Sequence, residues 1–258
     1  MRVLFIGDVV GPAAVAYLVD RVPRLRAELG VDAVVANAEN CGPTGIGMSV
    51  QLVCQLLEAG VDVVTSGNHA FDGPEVERVL DLPRVLRPLN LAEGVLGRGA
   101  ITIDVDGQPL TVLVLADREA LALAPSVAAF GRRPWDAWSA LERPGTVIVD
   151  YHAQSDMEKQ AFAHAVDGSA AAVLGTHTHE PTLPLHLLPG GTAHVTDVGM
   201  TGPSGGIEGF DVARFVEVTR GTPRGAAPPV RVADGSIVLG AVLLEIAGGR
   251  TTAIRRLT

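Results

Sequence analysis

Five apolar runs in this chain each stop at a polar cluster, and that punctuation constrains the fold more than any other feature. The clusters are Gly7-Asp8, Asn37-Ala38-Glu39-Asn40, Gly67-Asn68-His69, Asp150-Tyr151-His152 and Gly175-Thr176-His177-Thr178-His179. Ligand sites in open α/β sheets lie at the carboxyl ends of strands. Five such ends can therefore converge on one point. Four of the seven histidines (His69, His152, His177 and His179) fall within these clusters.

The segments around them read as an α/β order. Arg2 to Gly7, Ala33 to Ala36 and Asp62 to Thr65 are strand-like, while Ala14 to Leu29 and Val50 to Ala59 show helical spacing. This rhythm predicts parallel strands with helices packed on the faces. The second half is richer in strands. Ala100 to Val105 and Leu110 to Leu115 flank Asp106-Gly107, a hairpin signal. Thr146 to Asp150, Ala171 to Leu174, Pro184 to Leu188, Thr192 to Asp197 and Ile237 to Ile246 are further strands, and Gln154 to Val166 is a helix. The expected architecture is a four-layer α-β-β-α sandwich of two mixed sheets flanked by helices, a single domain over residues 1–258. Thr219 to Pro229, rich in Gly and Pro, is expected to be an exposed loop. Asp117 to Trp138 reads either as an irregular insertion near the site or as surface structure.

Composition sets limits. At 258 residues the chain can bury a substantial core. A mean hydropathy of +0.30 fits buried strands, since no apolar run approaches the roughly 18 residues of a membrane span. Met1 to Ile6 is too short for a signal peptide, because Asp8 interrupts it. A cytoplasmic protein without membrane attachment is expected. A net charge of −9 argues against stable nucleic-acid binding, which needs neutralising cations. It still permits a small anionic substrate held by metal ions, since bound cations reverse the local field. The two cysteines, Cys41 and Cys54, form no CxxC and read as free thiols, with Cys41 a packing residue beside the clusters.

Each cluster taken alone has a plainer explanation. Asp8 could cap a helix, Asn40 and Asn68 could be turn residues, and His152 could be a core histidine. His177-Thr178-His179 is harder to dismiss, because on an extended segment i and i+2 share a face. Jointly the clusters point to metal. Carboxylate, amide and imidazole without thiolate suit catalytic iron, manganese or zinc rather than a closed structural zinc site. Asp8, Glu39, Asn40, Asn68, His152, His177 and His179 are enough ligands for two metals sharing a bridge.

The order Gly7-Asp8, Glu39-Asn40, Gly67-Asn68-His69, His152, His177-Thr178-His179 resembles the calcineurin-like metallophosphoesterase superfamily. That superfamily usually shows Asp-x-His, Gly-Asp, Gly-Asn-His, His and Gly-His-x-His. This chain departs from it in three places: Val10 stands at the first His, Glu39 at the bridging Asp, and Ala70 where an acidic residue is common. Asn40 could supply the ligand that Val10 cannot. The departures, with Gly7-Asp8-Val9-Val10-Gly11, Asn37-Ala38-Glu39-Asn40 and Asp197-Val198-Gly199-Met200-Thr201-Gly202-Pro203, look like one branch, the YmdB-like phosphodiesterases of bacteria.

The resemblance implies that Asp8, Glu39, Asn40 and His179 hold one metal. Glu39, Asn68, His152 and His177 then hold the other, with Glu39 bridging and His69 as proton donor. It further implies two divalent or trivalent ions, iron foremost with manganese or zinc as alternatives, and a homo-oligomer. The implied activity is hydrolysis of small phosphodiesters, 2′,3′-cyclic and also 3′,5′-cyclic nucleotides, by hydroxide generated at the metal pair. A phosphomonoesterase or nucleotidase sharing the site is the competing enzyme, and a nucleotide-binding protein with a vestigial centre the competing non-enzyme.

Other motifs carry less. Gly202-Pro203-Ser204-Gly205-Gly206 fits GxSxG, but the last histidine, His194, precedes Ser204, so the serine-hydrolase order fails. The glycines at 42, 45 and 47 form no phosphate-binding Walker loop. His164, His186 and His194 read as structural or surface residues. Arg118, Arg132 and Arg133 are the cations expected to reach phosphate, if any do.

Overall fold

The computed structural model describes residues 1–123 and 131–257. In chain order its first half runs β1 (Arg2–Ile6), α1 (Gly11–Leu29), β2 (Ala33–Asn37), α2 (Val50–Glu58), β3 (Val63–Thr65), a 3₁₀ turn (Asn68–Phe71) and α3 (Val76–Asp81). Then come β4 (Ala100–Val105), β5 (Gln108–Ala116), α4 (Arg118–Ala122), α5 (Pro134–Ala140), β6 (Thr146–His152), α6 (Asp156–Ala165) and β7 (Ala172–Thr176). The chain finishes with β8 (His186–Leu187), β9 (Ala193–Val195), β10 (Gly202–Pro203), α7 (Val212–Thr219), β11 (Ile237–Val238), β12 (Ala241–Ala247) and β13 (Arg250–Leu257).

Two large sheets result. One has the order β13-β12-β1-β2-β3, the other β4-β5-β6-β7-β9-β8. Both are mixed: β1, β2 and β3 are parallel, as are β5, β6, β7 and β9, with antiparallel strands at the edges. Side-chain alternation divides the apolar residues into three layers. Val3 and Phe5 join Val112, Ile148 and Leu174 between the sheets. Leu4 and Ile6 point the other way, onto Val15, Leu18 and Val22 of α1. On the far side, Leu113, Val147 and Val149 pack against Trp138 and Phe162 of α5 and α6. Helix, sheet, sheet, helix is the expected four-layer order.

Local chemistry explains the element ends. Pro12 sits in the first turn of α1, where its missing N–H costs nothing. The helix stops at Gly30, which takes a left-handed conformation (φ 60°) and donates to the Arg26 carbonyl. Ser155 caps α6 by accepting from Glu158 N.

Several expectations need correcting. Ile237 to Ile246 is two strands, not one. β11 pairs with β10 in a separate ribbon and β12 joins the first sheet. The break falls at Gly240, where a Cβ would lie 2.3 Å from the Gly199 carbonyl oxygen. Pro184 to Leu188 keeps only His186–Leu187 as strand. Helix α7 was not expected, and it takes Thr219 from the supposed loop. The 117–138 segment contains α4 and the first part of α5, with residues 124–130 outside the described residues. Among the described residues, no helix is long and apolar enough to cross a membrane.

Candidate metal centre

The five clusters do meet, at the carboxyl ends of β1, β2, β3, β6 and β7. Asp8, Glu39, Asn40, Asn68 and His152 are all buried, and His179 nearly so. One ligand atom each from Glu39, His152 and His177 lies within 4.8 Å of the others.

Each imidazole is oriented by its outward nitrogen. Thr176 Oγ1 donates to Asp150 at 2.6 Å and stands 2.9 Å from His152 Nδ1. The hydroxyl proton is thus committed to the carboxylate, so His152 Nδ1–H is the donor to Thr176, and its Nε2 faces inward, toward Glu39 Oε1 and Asn68 Oδ1. His179 Nδ1–H donates to the Glu208 carbonyl at 2.8 Å, which turns Nε2 toward Asp8 Oδ1 at 3.7 Å. His177 Nε2–H donates to Gln154 Oε1 at 3.1 Å, and its Nδ1 stands 3.0 Å from His152 Nε2. Engaging the outer nitrogen fixes the tautomer of a metal-binding imidazole.

The oxygens are arranged the same way. Glu39 Oε2 accepts from Gly67 N (2.5 Å) and His69 N (3.1 Å), leaving Oε1 beside His152 Nε2 at 3.1 Å. Asp8 Oδ2 accepts from His177 N, while Oδ1 has no partner. Asn40 Nδ2 donates to the Gly45 carbonyl, and its Oδ1 has no partner. Asn68 Oδ1 lies 3.0 Å from His152 Nε2. Buried polar atoms without partners are costly. Among the described residues they are Asp8 Oδ1, Asn40 Oδ1 and the Asn68 amide nitrogen, and Asp8 Oδ1 lies 3.7 Å from His179 Nε2; carboxylate, amide and imidazole groups gathered in this way are a set that fits cations.

Electrostatics describe the same frustration. Burial opposes a charge on His152, yet the Glu39 and Asp8 carboxylates overcome it and hold the ring at about 9. Burial and the neighbouring His152 push His177 far below the ordinary range. Burial raises Asp8 against the pull of His179 and His152. Burial likewise raises the Glu39 carboxyl, but His152 reverses that and holds it well below the carboxylate range. Carboxylates that must share protons with the imidazoles between them are where a metal would substitute for a proton.

The strand alternation expected to bring His177 and His179 to one face does not occur. β7 ends at Thr176, and both histidines adopt left-handed backbone, φ 95° and 62°. Non-glycine residues rarely sit there, and such strain clusters at functional sites. Asp197 holds the turn, accepting from Thr178 N (3.1 Å), Thr178 Oγ1 (2.8 Å) and the buried Lys159 ammonium (3.2 Å). Sequence reasoning assigned no role to Asp150, Thr176, Lys159 or Asp197.

His69 sits at the rim, on the 3₁₀ turn, with Nδ1 2.6 Å from Asp72 Oδ2. Burial works against its charged form, but the Asp72 hydrogen bond and the Glu39 and Asp72 charges prevail and raise it. A cavity of about 430 Å3 opens above, lined by Glu39, Asn40, His69, His177 and His179. Among the described residues, the arginines lining it are Arg214 and Arg224, not Arg118, Arg132 or Arg133. Arg133 instead pairs with Asp136 on the surface. Cys41 is a buried thiol pushed up to about 12 by desolvation, and it packs in the α1 layer. Ser204 is exposed, 3.2 Å from the Ser236 hydroxyl.

Known proteins share this fold and much of this sequence. The chain is 36% identical over 249 residues to the 2′,3′-cyclic-nucleotide 2′-phosphodiesterase of Bacillus subtilis, covering 95% of this chain and 91% of that one. A solved structure of a hypothetical protein from Thermus thermophilus superposes with a TM-score of 0.90 at 39% identity, over 100% of this chain and 98% of the other. A structure described as a novel phosphatase from Mycoplasma pneumoniae gives 0.88 at 29%, over 100% and 92%. The family model described as YmdB-like protein matches residues 4–257, and the chain belongs to that family.

Proposed function

We propose that this protein is a metal-dependent phosphodiesterase acting on small phosphodiesters, 2′,3′-cyclic nucleotides first and 3′,5′-cyclic nucleotides second. The observation that carries this reading is the gathering of ligand atoms of Glu39, His152 and His177 within 4.8 Å of one another, with the unpartnered Asp8 Oδ1 beside them 3.7 Å from His179 Nε2. The Bacillus relative, named for 2′,3′-cyclic-nucleotide cleavage, supports the substrate class.

In this reading Asp8, Glu39, Asn40 and His179 hold one metal ion. Glu39, Asn68, His152 and His177 hold the second, with Glu39 common to both. The ligand types suit iron, and also manganese or zinc. Bound there, such a pair would activate water and stabilise charge on phosphoryl oxygens.

The chain's own residues supply the rest. Glu39 is fixed by two backbone donors before any ligand arrives. Asp150 holds Thr176, and through it the His152 ring, in one tautomer. Asp72 holds His69 at Nδ1, leaving its Nε2–H free for the substrate. As the bond between phosphorus and the ester oxygen breaks, His69 Nε2 donates its proton to that oxygen. Asp72 is the counter-charge that keeps the imidazolium available for this step.

The test combines elemental analysis of the purified protein with rates on cyclic nucleotides, bis-p-nitrophenyl phosphate and nucleoside monophosphates. Diester hydrolysis that a chelator abolishes and metal restores is the expected result. Faster turnover of monoesters would make the protein a phosphatase. Nucleotide binding without turnover in metal-replete protein would make it a binding module.

A further inference from the structure

The cavity of about 430 Å3 is larger than a phosphate group needs and lies in the range of sites for whole small molecules. Its two halves differ in chemistry. One is the polar cluster. The other is apolar, walled by Ile46, Phe210, Phe215 and Val218. Aromatic rings lead from one half to the other. The His179 ring stacks on Phe210 with centroids 6.0 Å apart and planes at 24°, and Phe210 meets Phe215 at 6.2 Å.

Phe215 and Val218 are three residues apart on α7 and so share a face. Both are only half-buried, and none of the side chains of α7 is fully buried. A helix with this pattern ordinarily packs its apolar stripe on a core; here the stripe lines the cavity. Arg214 and Thr219 bring polar groups to the same end, and the Arg214 guanidinium is anchored by a 2.7 Å bond to the Pro228 carbonyl.

We propose that this wall is a nucleobase subsite. Phe215, backed by Phe210, stacks on the base of a nucleotide whose phosphate lies against the polar cluster, and Arg214 and Thr219 bond to the base edge. The assignment rests on the phosphodiesterase reading. Beyond their bonds to the Pro228 and Phe215 carbonyls, Arg214 keeps free donors and Thr219 a free acceptor among the described residues, which a base edge can use and an acyl chain cannot. Every base has a π-face, so stacking accepts all of them. The subsite therefore demands a base and chooses weakly among bases.

Steady-state kinetics of metal-replete protein on the four 2′,3′-cyclic nucleotides and on ethylene phosphate, a cyclic diester without a nucleoside, test this. Wild type should prefer the nucleotides by about tenfold or more in kcat/KM and differ less than about tenfold among the four. Phe215→Ala should lower the nucleotide-to-ethylene-phosphate ratio by roughly ten- to a hundredfold, the worth of one base–aromatic stack. Phe215→Tyr should restore it. A wild-type ratio near one, or equal losses on both substrates in Phe215→Ala, overturns the subsite and leaves the phosphodiesterase reading intact. Turnover of neither substrate overturns the phosphodiesterase reading instead. Calorimetric titration with adenosine, which carries no phosphate, then decides the subsite: binding weakened in Phe215→Ala supports it, and no binding to wild type overturns it.

Discussion

Glu39 takes two backbone donors on one carboxylate oxygen and faces His152 with the other. Its removal should therefore disturb both halves of the centre. Glu39→Ala is expected to lose most bound metal, and elemental analysis finding two ions per chain would contradict its shared role. His69→Ala should behave oppositely. It should keep its metal and lose about 10²- to 10⁴-fold in turnover, the usual worth of a general acid. Metal lost from that variant would make His69 a ligand. These residues were legible because Asp, Glu, Asn and His at strand ends are an unusual pattern. The residues beneath them were not. Asp150 and Lys159 act by burial and by partners distant in sequence, and neither leaves a mark in spacing. Lys159, in a helix, reads as an ordinary surface cation, yet it is fully buried against Asp197.

At the scale of elements, the strands and helices with strong apolar periodicity matched expectation: β1, β2, α1, β6 and β7. α7 escaped because its apolar residues serve a cavity, so its pattern has no core partner to suggest it. β13 escaped because an edge strand with half its residues exposed lacks a continuous apolar run. The outer layer makes a prediction of its own. Phe162 meets Trp138 at 5.7 Å and Tyr151 at 4.9 Å between ring centroids, joining α6 to α5 and β6. Phe162→Ala should cost about 3–5 kcal/mol, read from the urea midpoint at constant m-value. Ser155→Ala, which removes the cap of α6, should cost about 1 kcal/mol in the same measurement.

For the whole molecule, the centre joins both sheets. Asp8, Glu39, Asn40 and Asn68 follow strands of one sheet, and His152, His177 and His179 follow or end strands of the other. A cation bound across them favours the folded state over the unfolded one. Metal at a hundredfold excess over its Kd should add about 3 kcal/mol and raise Tm, and a chelator should reverse the shift. An unchanged melting curve would place the metal elsewhere. The sandwich itself was legible from strand order, because alternating apolar runs dictate which faces must be covered. How the last strands close the first sheet was not, since nothing local announces that β12 pairs with β1.

That closure bears on how the protein is made. β1 is synthesised well before β12, so one of its two edges stays open until residues 241–247 arrive to pair with it. An open apolar edge is a template for pairing with other chains. That exposure lasts while the residues between Ile6 and Ala241 are made, and long-range pairings of this kind also fold slowly. A chain in which β1 is made and β12 is still to come therefore offers an edge for aggregation that the folded protein has closed.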